Sequence, residues 1–323
     1  MVKAIRVHQP GGPEVLVMED VDLPAPADHE VQIRHRAIGV NYIDIYRRTG
    51  AYPADYPFIP GHEGAGEVIA FGDKAKSFKV GDRVAYVGAL GGYSEARNIA
   101  ADSVIHLPKA FSCEQGAAMM LKGLTAQYLL RRTFKVKKGH RVLVHAGAGG
   151  VGQLLCQWAS ALGAKVIATV GSVDKAKIAE KAGARHTILY REENFVERVK
   201  ELTKGKLCDV VYDGVGRATF PDSLDCLKPF GMFVSFGSAS GPIAAFDIGL
   251  LALKGSLYAT RPSLFTHIAR RRDYEAMMDD LVDAAKRGFV SLGQPARFPL
   301  ADAAVVHAAL ESRATSGAMV LIP

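Results

Sequence analysis

What the chain lacks narrows it first. Its four cysteines, Cys113, Cys156, Cys208 and Cys226, are scattered, and no pair has CxxC spacing. That excludes a disulfide-stapled scaffold and reads as small apolar residues in a reducing compartment. No apolar run reaches the roughly 18 residues that span a bilayer. The start, MVKAIRVHQPGG, lacks the apolar core of a signal peptide and reads as a strand running into a Pro-Gly turn. A cytoplasmic protein is the expectation. Internal repeats and low-complexity segments are missing too. Charge of one sign is not concentrated: 40 Lys and Arg against 33 Asp and Glu leave a formal net charge of +7, and the densest basic cluster is Arg270 to Arg272. A solvated surface accounts for this balance, and an anionic ligand can draw on it. Nucleic-acid binding ranks low, because no aromatic-basic stripe accompanies the charge.

What is there suits two domains, since 323 residues can bury two cores. VQIRHRAIGV, GEVIAFG and DRVAYV are short alternating or apolar runs between Gly, Pro and Asp turns, which predicts a small, twisted, barrel-like β domain. Near residue 122 the texture changes. RVLVHAG, AKVIATVG, HTILY, CDVVYDGVG, GMFVSFG and GSLYAT read as six strands, with helices such as VGQLLCQWASALG and DKAKIAEKAG between several of them. That alternation predicts a doubly wound, six-stranded parallel sheet of the Rossmann type. A helical stretch, DYEAMMDDLVDAAKRG, and a short strand, MVLIP, close the chain. The tail is expected to return to the first domain. The predicted division is 1–122 with 262–323 for the β domain and 123–261 for the α/β domain.

The most informative stretch is RVLVHAGAGGVGQLLCQW. Gly147, Gly149 and Gly152 form GxGxxG between a predicted strand and a predicted helix, the context that turns a weak motif into a dinucleotide fingerprint. Gly147 is expected to take the tight turn. Gly149 lets the backbone approach a pyrophosphate, and Gly152 lets helix and strand pack closely. Ala148, Gly150 and Val151 complete the loop whose N–H groups and helix dipole face the phosphates.

The second strand bears on cofactor choice. An NAD site places Asp or Glu at its tip to grip the ribose 2′-hydroxyl. Here the strand ends in Val170, Gly171 and Ser172, and Asp174 comes later. Gly171 and Ser172 leave room for a 2′-phosphate, Lys175 can neutralise it, and Tyr190 can offer its ring and hydroxyl. The expectation is NADPH.

Taken together, GVNYIDIYRRTGAYP, PFIPGHEGAGEV, GLTAQYLL, HAGAGGVGQL, VYDGVG, VSFGSASG, RPSL and ESRAT cover the chain from end to end. The chain resembles the medium-chain dehydrogenases/reductases, and within them the zinc-free NADPH:quinone oxidoreductases that include zeta-crystallin. The resemblance implies a GroES-like β-barrel-type catalytic domain beside the Rossmann domain. Gly147 departs from the alanine this group often carries.

Zinc-dependent relatives share a segment like PGHEGAG, residues 60–66, but add a cysteine about twenty residues earlier. Asn41 falls there in this chain, and an amide is a poor replacement for a thiolate. No metal is expected, and PGHEGAG reads as a structural turn. The resemblance further implies that Asn41, Tyr46 and Tyr52 line the reaction site. Asn41 would bond the cofactor ribose or the substrate oxygen, and the tyrosines would donate to a developing oxyanion. Thr125, Phe236 and Ser238 would meet the nicotinamide end, Arg313 would reach back to the cofactor, and Leu264 would wall the acceptor pocket beside Tyr52. A homodimer through the sheet edge at Gly255–Thr260 is also implied. Three readings follow: a quinone reductase, an enone or alkenal reductase, and an RNA-binding protein like zeta-crystallin.

Overall fold

A computed structural model describes residues 1–291, 293–312 and 315–323. The chain divides into two compact units, Met1–Leu121 with Leu292–Pro323, and Lys122–Ser291.

In the first unit β1 (Val2–Arg6) and β2 (Val17–Val21) form an antiparallel pair. The main sheet uses β3 (Glu30–Gly39), β4 (Glu63–Phe71), β5 (Arg83–Val87), β6 (Ala96–Ala100) and β7 (Val104–His106). The short helix α1 (Tyr42–Arg48) follows β3, and α2 (Cys113–Tyr128) begins in this unit. Along β3, Val31, Ile33 and Ala37 are buried while Arg34 and Arg36 are exposed, the period of two expected of a half-covered strand. Val31, Ile33, Val68, Phe78, Val84 and Tyr86 form one core. PGHEGAG differs from the expectation of a turn throughout: Glu63 to Gly66 are already in β4, paired with Val87 to Val84 of β5.

The second unit carries β8 (Arg141–Val144), β9 (Lys165–Val170), β10 (His186–Leu189), β11 (Cys208–Asp213), β12 (Leu227–Ser235) and β13 (Tyr258–Thr260), with α3 (Gly150–Ala161), α4 (Val173–Lys181) and α5 (Phe195–Leu202) between strands. Three further helices follow: α6 (Gly249–Leu253), α7 (Leu264–His267) and α8 (Arg271–Lys286). All pairings are parallel, in the order β10-β9-β8-β11-β12-β13. The predicted doubly wound sheet is therefore present, strand for strand. Residues of β11 are buried without interruption, as a strand covered on both faces must be.

The tail supplies β14 (Ala296–Pro299), α9 (Ala303–Glu311) and β15 (Met319–Ile322), and β15 pairs with β3. The expected boundary at residue 262 differs from the observed division. Residues 262–291 pack in the second unit: Tyr128 stacks on His267 at 4.6 Å, and Gln127 Nε2 donates to Asp280 at 2.9 Å. A Cβ on Gly123 would lie 2.7 Å from the Leu281 side chain, so α8 is seated tightly on the second half of α2. Among the described residues, no helix is long and apolar enough to cross a membrane.

Candidate functional site

In the second unit the glycine turn joins β8 to α3. The left-handed residue is Ala146 (φ 54), not Gly147 as the motif suggested. Each glycine answers a different demand. A Cβ on Gly147 would stand 2.6 Å from Ala168 Cβ on β9, and one on Gly152 would stand 2.2 Å from the Ala146 carbonyl oxygen. Both are packing glycines. A Cβ on Gly149 would meet only the Ala146 carbonyl oxygen, at 3.2 Å. Its outer side faces open space at the N-terminus of α3, where backbone N–H groups lack intrahelical partners. The turn thus fits a dinucleotide pyrophosphate. Beneath it, His145 Nδ1 lies 2.9 Å from Thr169 Oγ1, and Nε2 lies 3.0 Å from Ser223 Oγ. Burial lowers the His145 pKa, opposed by Asp213.

Asp213 ends β11 fully buried. It accepts from the N–H groups of Val215 and Gly216 at 2.7 and 2.9 Å, and from Thr219 Oγ1 at 2.6 Å. This holds the VYDGVG turn. Past β12, Arg261 donates to Ser235 Oγ, the Gly237 carbonyl and Ser238 Oγ at 2.8, 2.9 and 3.0 Å. The loop of Phe236 and Ser238 is therefore clipped by Arg261, which opens RPSL but to which the sequence assigned no role. Thr125 on α2 and Leu264 at the start of α7 are buried.

At the tip of β9, Ser172 caps α4, its hydroxyl accepting from the Lys175 N–H. Gly171 and Tyr190 are brought together: a Cβ on Gly171 would lie 2.8 Å from the Tyr190 hydroxyl and 3.5 Å from Arg191 Nε. Arg191 was not expected, since it belongs to no motif. Asp174 is engaged by Lys177 at 3.2 Å.

In the first unit Tyr46 and Tyr52 come together, and Asn41 is held apart from them by Asp44 and Glu63. The Tyr46 and Tyr52 rings lie 5.0 Å apart, with Tyr42 5.8 Å from Tyr46, and the Tyr52 N–H donates to the Tyr46 carbonyl. Asn41 precedes α1, its N–H donating to Asp44 Oδ2 at 2.8 Å. Asp44 also accepts from the Tyr93 hydroxyl at 3.1 Å. Tyr93 is 2.9 Å from His307 Nε2, and Arg48 donates to His307 Nδ1 at 3.1 Å. Arginine can only donate, so the neutral ring carries its proton on Nε2 and donates to Tyr93. Arg48 also pairs with Glu311 at 2.7 Å. A directed chain of bonds from α9 thus fixes α1. Arg313 lies outside the described residues.

His62 and Glu63 are both buried. His62 Nδ1 donates to the Gly88 carbonyl at 2.7 Å, and burial pushes its pKa down to about 4. Glu63 accepts from Asn41 Nδ2 at 2.7 Å and from the Leu121 N–H at 2.6 Å.

The family described as alcohol dehydrogenase GroES-like domain matches residues 27–109, and the one described as zinc-binding dehydrogenase matches 150–283. A quinone oxidoreductase from Pseudomonas aeruginosa is 50% identical over the full length of both chains. The chain belongs to the quinone oxidoreductase family. Its structure superposes on that of an Escherichia coli quinone oxidoreductase complexed with NADPH with a TM-score of 0.97, at 48% identity, covering 99% of this chain and 100% of the other. A 2-haloacrylate reductase from a Burkholderia species is 42% identical over 100% of this chain and 99% of its own. The fold of this quinone oxidoreductase family member is that of the medium-chain dehydrogenases/reductases: a GroES-like unit and a Rossmann unit.

The zinc named in one of those descriptions does not fit the residues at PGHEGAG. Both Glu63 oxygens accept from N–H donors, and Asn41 turns an amide N–H, not a ligand, toward the carboxylate. Among the described residues no three His, Cys, Asp or Glu side chains converge as a metal site requires.

Proposed function

We propose that this chain is an NADPH-dependent quinone oxidoreductase that works without zinc. The observation that carries the reading is the glycine turn with an open Gly149, on a chain half identical to a quinone oxidoreductase. When bound, NADPH supplies the hydride. Ala148 to Gly152 hold its pyrophosphate with their N–H groups. Gly171, Ser172, Lys175 and Tyr190, with Arg191 added, hold its 2′-phosphate; the two cations supply charge-assisted bonds that NADH cannot use. Thr125, Phe236 and Ser238 meet the nicotinamide end. Asn41, Tyr46, Tyr52 and Leu264 serve the acceptor side, Asn41 also touching the cofactor. The tyrosine hydroxyls donate to the acceptor oxygen as charge develops on it. A quinone is already electrophilic, so orientation and exclusion of water suffice.

The first test is reduced-nicotinamide oxidation with p-benzoquinone, using NADPH and NADH, with and without a chelator. Turnover that prefers NADPH by about 100-fold, as two charge-assisted bonds imply, and that ignores the chelator is expected. Loss of activity with chelator would return a metal to PGHEGAG and overturn the zinc-free reading. The 2-haloacrylate reductase relative favours a second reading, reduction of an activated alkene. Turnover on 2-chloroacrylate but not on quinone would select it.

The protein is further proposed to be cytoplasmic and to dimerise through the Gly255–Thr260 edge. β13 is the end strand of its sheet. Around it Tyr258, Phe230 and Leu253 are 57%, 67% and 82% exposed, an apolar rim unusual for an open edge. Replacing Leu253 and Tyr258 together by lysine is expected to convert the dimer to monomer in sedimentation velocity. An unchanged sedimentation coefficient would remove this edge as the interface.

A further inference from the structure

We propose that Glu63 is a positioning residue that sets which way round the Asn41 amide presents itself to the cofactor. The inference rests on the reading of Asn41 as a cofactor-binding residue. Glu63 opens β4, and its backbone is held opposite Val87 in the sheet ladder. Its side chain is completely buried. A buried carboxylate is costly unless both oxygens are satisfied, and here they are. Oε1 accepts from Asn41 Nδ2 at 2.7 Å, and Oε2 accepts from the backbone N–H of Leu121 in α2 at 2.6 Å. The surroundings are cut to fit: a Cβ on Gly39 would lie 2.2 Å from Oε1 and 2.5 Å from the Ala117 carbonyl oxygen.

The chemistry follows from donor and acceptor types. An asparagine amide is nearly symmetrical in shape and opposite in polarity at its two ends. An ionised carboxylate accepts only, so Asn41 turns Nδ2 toward Glu63 Oε1, and its side-chain oxygen accepts from the Asp44 N–H in a capping box. Glu63 and the Asp44 N–H make that choice together, one from each end of the amide. The acid in PGHEGAG is thus an orienting group, rigid because it sits on a strand and anchored a second time by Leu121.

The variant E63Q tests this with almost no change of shape. A glutamine has one oxygen and one NH2 group, and both neighbours are donors. With its oxygen kept for the Leu121 N–H, its NH2 group faces the Asn41 NH2 group, and Asn41 can accept from it only by turning over and giving up its bond from the Asp44 N–H. E63Q is therefore expected to fold, with a melting midpoint within about 4 °C of the parent. It is expected to bind NADPH about 10-fold more weakly in a fluorescence titration, the effect of one misdirected hydrogen bond. In nitrogen-edited NMR the Asn41 side-chain amide is expected to lose its carboxylate-bound proton shift. That readout needs no cofactor, so it separates failure of this inference from failure of the NADPH reading. The double variant N41D/E63Q restores the polarity: the introduced aspartate accepts from the glutamine NH2 group and again carries oxygen on its other side. It is expected to recover affinity to within about 3-fold of the parent, whereas N41D alone sets two carboxylates face to face and binds worse than the double variant. Should E63Q fail to fold, recovery in the double variant still supports the pairing. An unmoved Asn41 amide signal in E63Q, or a double variant that loses the sum of both single losses, would falsify the proposal.

Discussion

Lowering the pH from 7 to 4.5 is expected to drop the melting midpoint of the first unit by about 15 °C or more. Three buried histidines cause it. Burial holds His35 at about 4, with its bond to the Ser94 carbonyl opposing. Burial holds His62 at about 4, and burial with the neighbouring Arg48 cation holds His307 at about 3. Each is depressed from an ordinary value of 6.5. The sign follows by linkage. Above pH 6.5 folded and unfolded chains both carry neutral rings, and the three contribute nothing. Between 6.5 and about 4 the unfolded chain binds protons that the folded chain refuses, so stability falls with falling pH. Below the folded values the difference saturates. Each ring costs on the order of 3 kcal/mol by then, and a whole domain has only about 5–15 kcal/mol to lose.

The window distinguishes these rings from the carboxylates. Asp82 is held below its ordinary 3.8, and Glu19 and Glu114 below their ordinary 4.5, so their stabilisation is lost at and below the foot of this window. Thermal melts followed by circular dichroism across the range check the prediction. In H307Q, glutamine can accept from Arg48 and donate to Tyr93 without titrating, and the slope should flatten by about a third. A midpoint independent of pH between 7 and 4.5 would mean that these rings protonate in place, and that the bonds of His307 to Arg48 and Tyr93 are not as described.

Gly149→Ala and Gly152→Ala are expected to fail in opposite ways. A Cβ at Gly149 meets the Ala146 carbonyl oxygen at 3.2 Å and nothing else, so folding stability should change by less than about 1 kcal/mol. NADPH affinity should fall by about 100-fold, because that methyl stands where the pyrophosphate must approach. At Gly152 the Cβ would lie 2.2 Å from the same oxygen and 2.9 Å from Gly147 Cα. Both are backbone atoms, so the turn itself must move. A loss of about 3 kcal/mol is expected, with cofactor binding lost alongside. Chemical denaturation and NADPH titration of both variants decide it. If Gly149→Ala binds as tightly as the parent, the phosphates do not cross that residue. A stable Gly152→Ala would show that the turn can relax, contrary to its packing.

The six strands of the second unit were legible because each is an apolar run set off by Gly, Asp or Pro, and burial on both faces leaves no polar interruption. The glycine fingerprint was legible for a similar reason, since only glycine meets its demands. Their assignment was less so. The left-handed φ belongs to Ala146, a residue whose side chain points outward and can tolerate the conformation. Arg191 escaped notice because its approach to Gly171 depends on β10 lying beside β9, a pairing between distant segments.

PGHEGAG marks the boundary most clearly. By composition it is a glycine-rich turn, and the absence of a nearby cysteine argued against zinc without saying what the acid does. Half of it is strand, and Glu63 is bonded to residues 22 and 58 positions away in the chain. Likewise Arg48 and His307, 259 residues apart, look like surface and helix residues until α9 returns to the first unit and buries them together. Local pattern by itself determined the two kinds of domain, the strand count of the second unit and the glycine turn, because each depends on neighbours in sequence or on residue type alone. Only the tertiary structure decided where α8 packs, which histidines must stay neutral and which way the Asn41 amide faces. Those depend on donors, acceptors and buried charge supplied by segments that the fold, not the chain, makes adjacent.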